Sequence, residues 1–186
     1  MNVVTSVNGV DLDRLSATIG AIVADPALGR FEFRARNRWI DGGHSRATVQ
    51  GFFGAGEEDS TREKPFVFDV DEPPVLLGQN LAANAGEYAL AALASCLTGT
   101  IVYHAAARGI VIRELECSVR GDVRLQGFLG LDADTRPGFD QIQVTVRIGG
   151  DFTDDQLGEL ATLTRFSPVR DMVANPVPVD INVVRA

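Results

Sequence analysis

Between Tyr88 and Ala107 the chain carries no formally charged side chain, and small residues such as Ala91, Ala92, Ala94, Ser95 and Gly99 dominate. A charge-free run of about twenty residues is long enough to cross a bilayer as a helix. Its content argues otherwise. Leu, Ile, Val and Phe are few, and Ala, Ser, Thr and Gly contribute little transfer energy. His104 also lies within it. A helix that is apolar on every side, with short side chains, is read as the central helix of a protein core, closely approached by a sheet or a second helix. Asn84 followed by Glu87 has capping-box spacing and starts the helix near residue 84. Arg108-Gly109 ends it, with a cation in the last turn and glycine just past it.

On both sides of this segment the period changes from helical to alternating. Residues 11–24 read as a short helix, with Leu12, Leu15, Ile19 and Val23 at helical spacing and Asp25-Pro26 closing it. From Phe31 to Trp39 one face holds Phe31, Phe33, Ala35 and Trp39, and the other holds Glu32, Arg34, Arg36 and Arg38. Asp41-Gly42-Gly43 turns that strand into a second, roughly 44–54, which makes a hairpin. Residues 54–64 are polar and read as a loop, and Phe66 to Val70 as a third strand. After the central helix, Val111, Leu115, Cys117, Val119 and Val123 lie on one face of a long strand. Gly127 to Gly138 is a loop, and Ile142 to Ile148 is the next strand. Thr153 and Gln156 form a second capping box, with Leu157, Leu160, Ala161 and Thr164 along one helix face. Ser167-Pro168 breaks that helix, and Val177, Val179, Ile181 and Val183 alternate as a last strand. With no repeat and no linker, the order predicts one α+β domain over 1–186, with 1–29 as an N-terminal helical extension.

Seventeen Lys and Arg against twenty-five Asp and Glu give a formal charge of −8. Such a surface repels phosphate backbones and anionic lipid, so neither nucleic acid nor membrane is an expected partner. Residues 1–5 lack the basic and apolar regions of a secretory leader. Two cysteines, Cys96 and Cys117, are too few for a disulfide framework. A cytoplasmic protein with reduced thiols is expected.

Cys96, in the middle of the central helix, is the one residue there with chemistry of its own. A free cysteine is commonly a small buried hydrophobe. It becomes reactive when a cation or a helix N-terminus stabilises its thiolate, and Cys96 lies about three turns from the start of its helix, too far for the dipole. A positive side chain must then come from elsewhere, and Arg34, Arg36, Arg38 and Arg46 are the candidates, each otherwise a solvated strand residue. His104, eight residues on, lies beyond hydrogen-bond reach of Cys96 along one helix and is not read as its base. With only His44 and His104 as histidines, no metal constellation forms. Gly127-Phe128-Leu129-Gly130 lacks the strand–loop–helix setting of a phosphate loop, so no cofactor is expected.

The run Gly86-Glu87-Tyr88-Ala89-Leu90-Ala91-Ala92-Leu93-Ala94-Ser95-Cys96-Leu97-Thr98 resembles the central helix of the OsmC and organic hydroperoxide resistance (Ohr) family. Ala105 to Ile110, Arg120-Gly121-Asp122, Gly127-Phe128-Leu129-Gly130 and Ser167-Pro168-Val169 fit in the same order, so the resemblance runs from about residue 30 to the C-terminus. It implies an intertwined homodimer, with central buried helices flanked by antiparallel sheets and active sites where subunits meet. It also implies a thiol peroxidase that reduces organic hydroperoxides and is recycled by an external thiol or dithiol. In that pattern Cys96 matches the peroxide-attacking cysteine, and Arg38 or Arg46, Arg38 first, the arginine beside it. Glu87 matches the glutamate that holds the arginine, though it sits nine residues before Cys96 where the pattern has ten. The family's second, resolving cysteine is replaced by Ser167, and Cys117, on a core-facing strand position, is no substitute. Two expectations follow: a one-cysteine peroxidase using Cys96, or a non-catalytic dimer that binds a small apolar ligand at its interface.

Overall fold

The computed structural model describes residues 6–185, in two compact units. One comprises residues 11–89. The other comprises residues 6–10 with the chain from Leu90 onward.

The described residues begin with a small hairpin, β1 (Ser6–Val7) and β2 (Val10–Asp11), around Asn8 and Gly9, both at positive φ. That Asn-Gly turn escaped the sequence reading. Asn8 ties it down: its amide donates to the Ile110 carbonyl at 2.9 Å and accepts from the Ile112 N–H at 2.9 Å. Helix α1 (Leu12–Ala24) follows, capped by Asp11, which accepts from the Arg14 N–H.

The single predicted hairpin over 31–54 is two sheets. Strand β3 (Glu32–Phe33) is separated from β4 (Arg36–Asp41), and β5 (His44–Val49) from β6 (Phe52–Gly54). At the break Gln50 and Arg62 exchange side-chain to backbone hydrogen bonds of 3.1 and 2.8 Å in place of the ladder. The polar stretch read as a loop holds β7 (Glu57–Asp59), joined to β6 by a two-residue turn at Ala55 and Gly56, both at positive φ. With β8 (Phe66–Val70), the antiparallel orders are β3-β6-β7 and β4-β5-β8.

Helix α2 (Ala85–Ala106) is the predicted central helix, and it is long and apolar enough to cross a membrane by length and composition. It starts in the expected capping box: the Glu87 carboxylate accepts from the Asn84 N–H at 2.8 Å, and Asn84 accepts from the Glu87 N–H at 2.9 Å. It ends in a Schellman pattern, with Gly109 at φ 67° and the Ile110 N–H donating to the Ala105 carbonyl. Leu93, Leu97, Ile101 and Ala105, four residues apart, form its buried stripe.

In the C-terminal unit α2 faces a long antiparallel ribbon of β9 (Val111–Val123) and β10 (Phe139–Asp151), with a short helix α3 (Leu125–Phe128) in the connection. The predicted inner face holds for Leu115, Cys117 and Val119 but fails at both ends: Val123 is exposed beside a register shift between Phe139 and Gln141, and Val111 fails at the other end. Opposite Gly149 and Gly150 the register shifts by a residue, because Glu114 and Ile112 pair there and Arg113 is the extra position. A one-residue slip exchanges the faces of a strand. Ile112 therefore joins Leu115 against the core, and Val111 is exposed. Helix α4 (Asp154–Leu163) has the Thr153/Gln156 capping box, but its buried face is Leu160 and Leu163 rather than Leu157 and Ala161. Ile101, Ala105, Ile110, Leu160 and Leu163 form the core cluster of this unit, backed by Leu115, Val146, Ile148 and Phe152.

Two findings replace the expected ending. Ser167 does not merely stop α4; it caps a further helix, α5 (Pro168–Ala174). The expected strand over Val177–Val183 is not a strand here: the backbone is irregular and these side chains are half to mostly exposed. Pro176 and Pro178 remove two ladder donors where such a strand would begin.

Candidate functional site

Cys96 lies on α2, half-buried, between Leu93 one turn before it and Leu97 next to it. Its sulfur has one side-chain partner among the described residues, and that partner comes from 71 residues away: the Ser167 hydroxyl donates to Cys96 Sγ at 3.1 Å. Ser167 is fully buried. Its Oγ also accepts from the Arg170 N–H at 3.2 Å, as the cap of α5. With a lone pair turned to that N–H, the hydroxyl proton is directed at the sulfur. Its backbone is held as well, by bonds from its N–H to the Thr164 carbonyl and from the Asp171 N–H to its own carbonyl. A rotation of this hydroxyl would orphan a buried polar group, which costs about 1–3 kcal/mol. The contact is therefore fixed.

Beside this pair is a cavity of about 330 Å³. Leu93 and Leu97 of α2, Ile142, Val144 and Val146 of β10, and Val173 of α5 supply its apolar walls. Among the described residues Arg170 is its one charged lining residue, and it is exposed. Farther along α2, the His104 ring stacks on Phe166 at 5.1 Å, and Arg108 pairs with Glu159 at 2.6 Å. Burial first, and then the Arg108 charge, push His104 below the usual histidine range. These contacts give His104 a packing role.

The other sequence-derived residues belong to the N-terminal unit. Arg46 is held by Asp69, with Nε 2.8 Å from Oδ1, and His44 reaches the same oxygen at 3.2 Å. Those bonds, from Arg46 foremost and then from His44, hold the Asp69 carboxyl below its ordinary range. The Asp69 carbonyl accepts the Tyr88 hydroxyl at 2.9 Å. Arg38 stands opposite Arg46 in the β4–β5 register, exposed, and has no carboxylate within ion-pair distance among the described residues. Glu87 is occupied as the α2 cap and makes no ion pair with an arginine among the described residues. Nearby, the buried Asp71 accepts backbone N–H groups from Glu72, Gln79 and Leu81 at 2.8, 3.0 and 3.1 Å. These bonds, Leu81's foremost, hold its carboxyl below the ordinary range. Gly78 is required in that loop, since a Cβ would fall 1.9 Å from the Glu72 carbonyl oxygen.

Cys117 sits on the inner face of β9 opposite Val146, and burial pushes its thiol up. Among the described residues no group of three or more His, Cys, Asp or Glu is placed to hold a metal. The sequence reading missed Arg170. Ser167-Pro168 is a signal for it: serine at a cap with proline at the next position opens a helix, and Arg170 then falls in its first turn.

The antiparallel sheets and the long small-residue helix make an α+β fold known from solved structures. An OsmC-like protein from Mycoplasma pneumoniae matches with a TM-score of 0.60 at 16% identity, over 78% of this chain and 89% of that one. An organic hydroperoxide resistance protein OsmC from Legionella pneumophila matches with a TM-score of 0.55 at 15% identity, over 77% and 89%. At these identities the likeness is one of fold. Among curated proteins no match is found. The OsmC-like protein family model matches residues 78–182, more than half of the sequence, and the chain belongs to that family.

Proposed function

We propose that the protein is a thiol-dependent peroxidase that reduces organic hydroperoxides through Cys96, with one cysteine in its cycle. The observation that carries this reading is the fixed Ser167 hydroxyl at 3.1 Å from the Cys96 sulfur, beside an apolar cavity. The Cys96 thiolate attacks the outer oxygen of the hydroperoxide. The O–O bond breaks, the alkoxide takes a proton and leaves as an alcohol, and Cys96 is left as the sulfenic acid. Ser167 has no thiol with which to form a disulfide. An external thiol therefore condenses with the sulfenic acid, releasing water. A second thiol, or the other arm of a dithiol, then returns Cys96 and leaves as the oxidised disulfide.

For the arginine that assists the thiolate, Arg38 is proposed first and Arg46, which pairs with Asp69, second. Glu87 serves through its cap at the start of α2. The working form proposed is a cytoplasmic homodimer without cofactor or metal. One face of α2, with Ala92, Ser95 and Tyr103, stays exposed in the single chain. An uncharged helix face of that kind gains by being covered with a second copy.

Serine in place of a second thiol, together with the cavity, also supports a non-catalytic dimer that binds a small apolar ligand. One experiment separates the two. The protein is treated with cumene hydroperoxide, and residue 96 is read by mass spectrometry with a sulfenic-acid probe. Labelling at Cys96 and thiol-dependent turnover that Cys96→Ser abolishes support the peroxidase. An unmodified Cys96 leaves the binding reading.

A further inference from the structure

One edge of the C-terminal unit is closed by a carboxamide. Strand β9 pairs with β10 on one side, and among the described residues no strand pairs with it on the other. At the start of that open edge Asn8 takes two backbone groups at once. Its Nδ2 donates to the Ile110 carbonyl at 2.9 Å, and its Oδ1 accepts from the Ile112 N–H at 2.9 Å. A carbonyl and an N–H two residues apart on one side of a strand are what a neighbouring strand would bond. The Asn8 side chain, with one donor and one acceptor, stands in for that neighbour's peptide groups. The next residue, Gly9, is exposed, and a Cβ built on it would meet nothing within 4 Å. A glycine after asparagine has no side chain to hinder the approach of its nitrogen to the asparagine Cγ.

We propose that Asn8 is a deamidation site, and that the reaction unfastens the β1–β2 hairpin from β9. The Gly9 nitrogen attacks Asn8 Cγ and closes a succinimide ring. The Cγ–Nδ2 bond breaks, and ammonia leaves with the proton that Gly9 gives up. Water then opens the ring at either carbonyl, leaving aspartate or isoaspartate at position 8. The net change is amide and water to carboxylate and ammonium, with no redox step. In the docked hairpin both amide atoms are held by β9, so Cγ turns to the Gly9 nitrogen only after both bonds open. The rate therefore follows local opening of the hairpin. The product does not refasten. A carboxylate has acceptors only. If it keeps the bond from the Ile112 N–H, its second oxygen is pressed on the Ile110 carbonyl, where Nδ2 stood at 2.9 Å. Isoaspartate also adds a methylene to the backbone of a two-residue turn. Release bares the Ile110 carbonyl and the Ile112 N–H on an edge open to pairing.

The full chain and a peptide of residues 4–13 are aged side by side in mildly alkaline buffer, and position 8 is followed by peptide mass spectrometry. The folded chain converts between tenfold and a hundredfold more slowly than the peptide, and in urea it converts at the peptide's rate. Amide hydrogen exchange, read by NMR, is the second measurement. In the deamidated chain the Ile112 N–H exchanges at least tenfold faster than in the unmodified chain. Exchange at Val119 and Val146, in the middle of the β9–β10 ribbon, is unchanged, a split that general loss of structure would not give. Asn8→Asp reproduces the pattern without ageing. Three results overturn the assignment. One is conversion of the folded chain as fast as the peptide. Another is a folded chain still intact at position 8 a hundredfold beyond the peptide's half-life. The third is Ile112 exchange in the deamidated chain or in Asn8→Asp equal to that of the unmodified protein.

Discussion

The substitution Ser167→Cys places a second thiol against the first. The Ser167 oxygen already lies 3.1 Å from Cys96 Sγ, and these positions are 71 residues apart. A disulfide needs its sulfurs at about 2.05 Å and its Cα atoms within about 7 Å. Closing from 3.1 Å therefore asks for a shift of about 1 Å, part of it supplied by the longer C–S bond. In the reduced variant, loss of the serine cap costs about 1 kcal/mol. On oxidation, closing a loop of this length stabilises the fold by about 4 kcal/mol in the chain-entropy account. For a protein of this size each kcal/mol moves the thermal midpoint by about 2–4 °C, so the oxidised variant melts about 8–16 °C above its reduced form. The assay is stoichiometric cumene hydroperoxide, then peptide mapping for a disulfide between positions 96 and 167 and a melt with and without reductant. The variant also gains dithiol-dependent peroxidase turnover, since a disulfide replaces the persistent sulfenic acid. A folded variant that forms no such crosslink, while a probe detects sulfenic acid at Cys96, refutes the placement of residue 167 against the thiol.

At neutral pH iodoacetamide modifies Cys96 faster than Cys117, whose thiol burial pushes up; peptide mass spectrometry over time gives the order, and equal rates count against a reactive Cys96. Leu160→Ala, at a fully buried site beside Ile101 and Ala105, lowers stability by about 2–5 kcal/mol, measured by urea unfolding; a loss below about 1 kcal/mol would mean that the site collapses around the deletion. Asp71 has its carboxyl depressed in the fold by the Leu81, Glu72 and Gln79 N–H groups. Its contribution is therefore complete above the unfolded value, about 3.9, and is lost as pH falls through the lower folded value. Urea midpoints of wild type and Asp71→Asn should differ at pH 7 and converge below about pH 4; a gap that does not narrow with acid removes the carboxylate from the account.

Much of the α2 neighbourhood is legible along the chain because it is encoded locally. The charge-free run sets the helix, Asn84 and Glu87 set its start, and Gly109 at φ 67° sets its end. Alternation likewise gives β9, and the Thr153/Gln156 box gives α4. Family motifs, whose information lies in their order, point to the OsmC-like fold. What local pattern cannot carry is any choice made between distant residues. At the break that turns one hairpin into two sheets, Gln50 meets Arg62, a pairing that no local pattern marks. The face of β9 reverses at Arg113 because β10 pairs with it out of register there. Alternation at Val177–Val183 is compatible with a strand, but a strand also needs a partner with free donors and acceptors, and no partner pairs with it among the described residues. The contact of Ser167 with Cys96, and the arginine beside a cavity walled by α2 and β10, exist only once the chain has folded back over those 71 residues. Periodicity and caps fix elements because they act within a turn or two of chain; a thiol's partners are fixed by packing, which brings together residues that the sequence keeps apart.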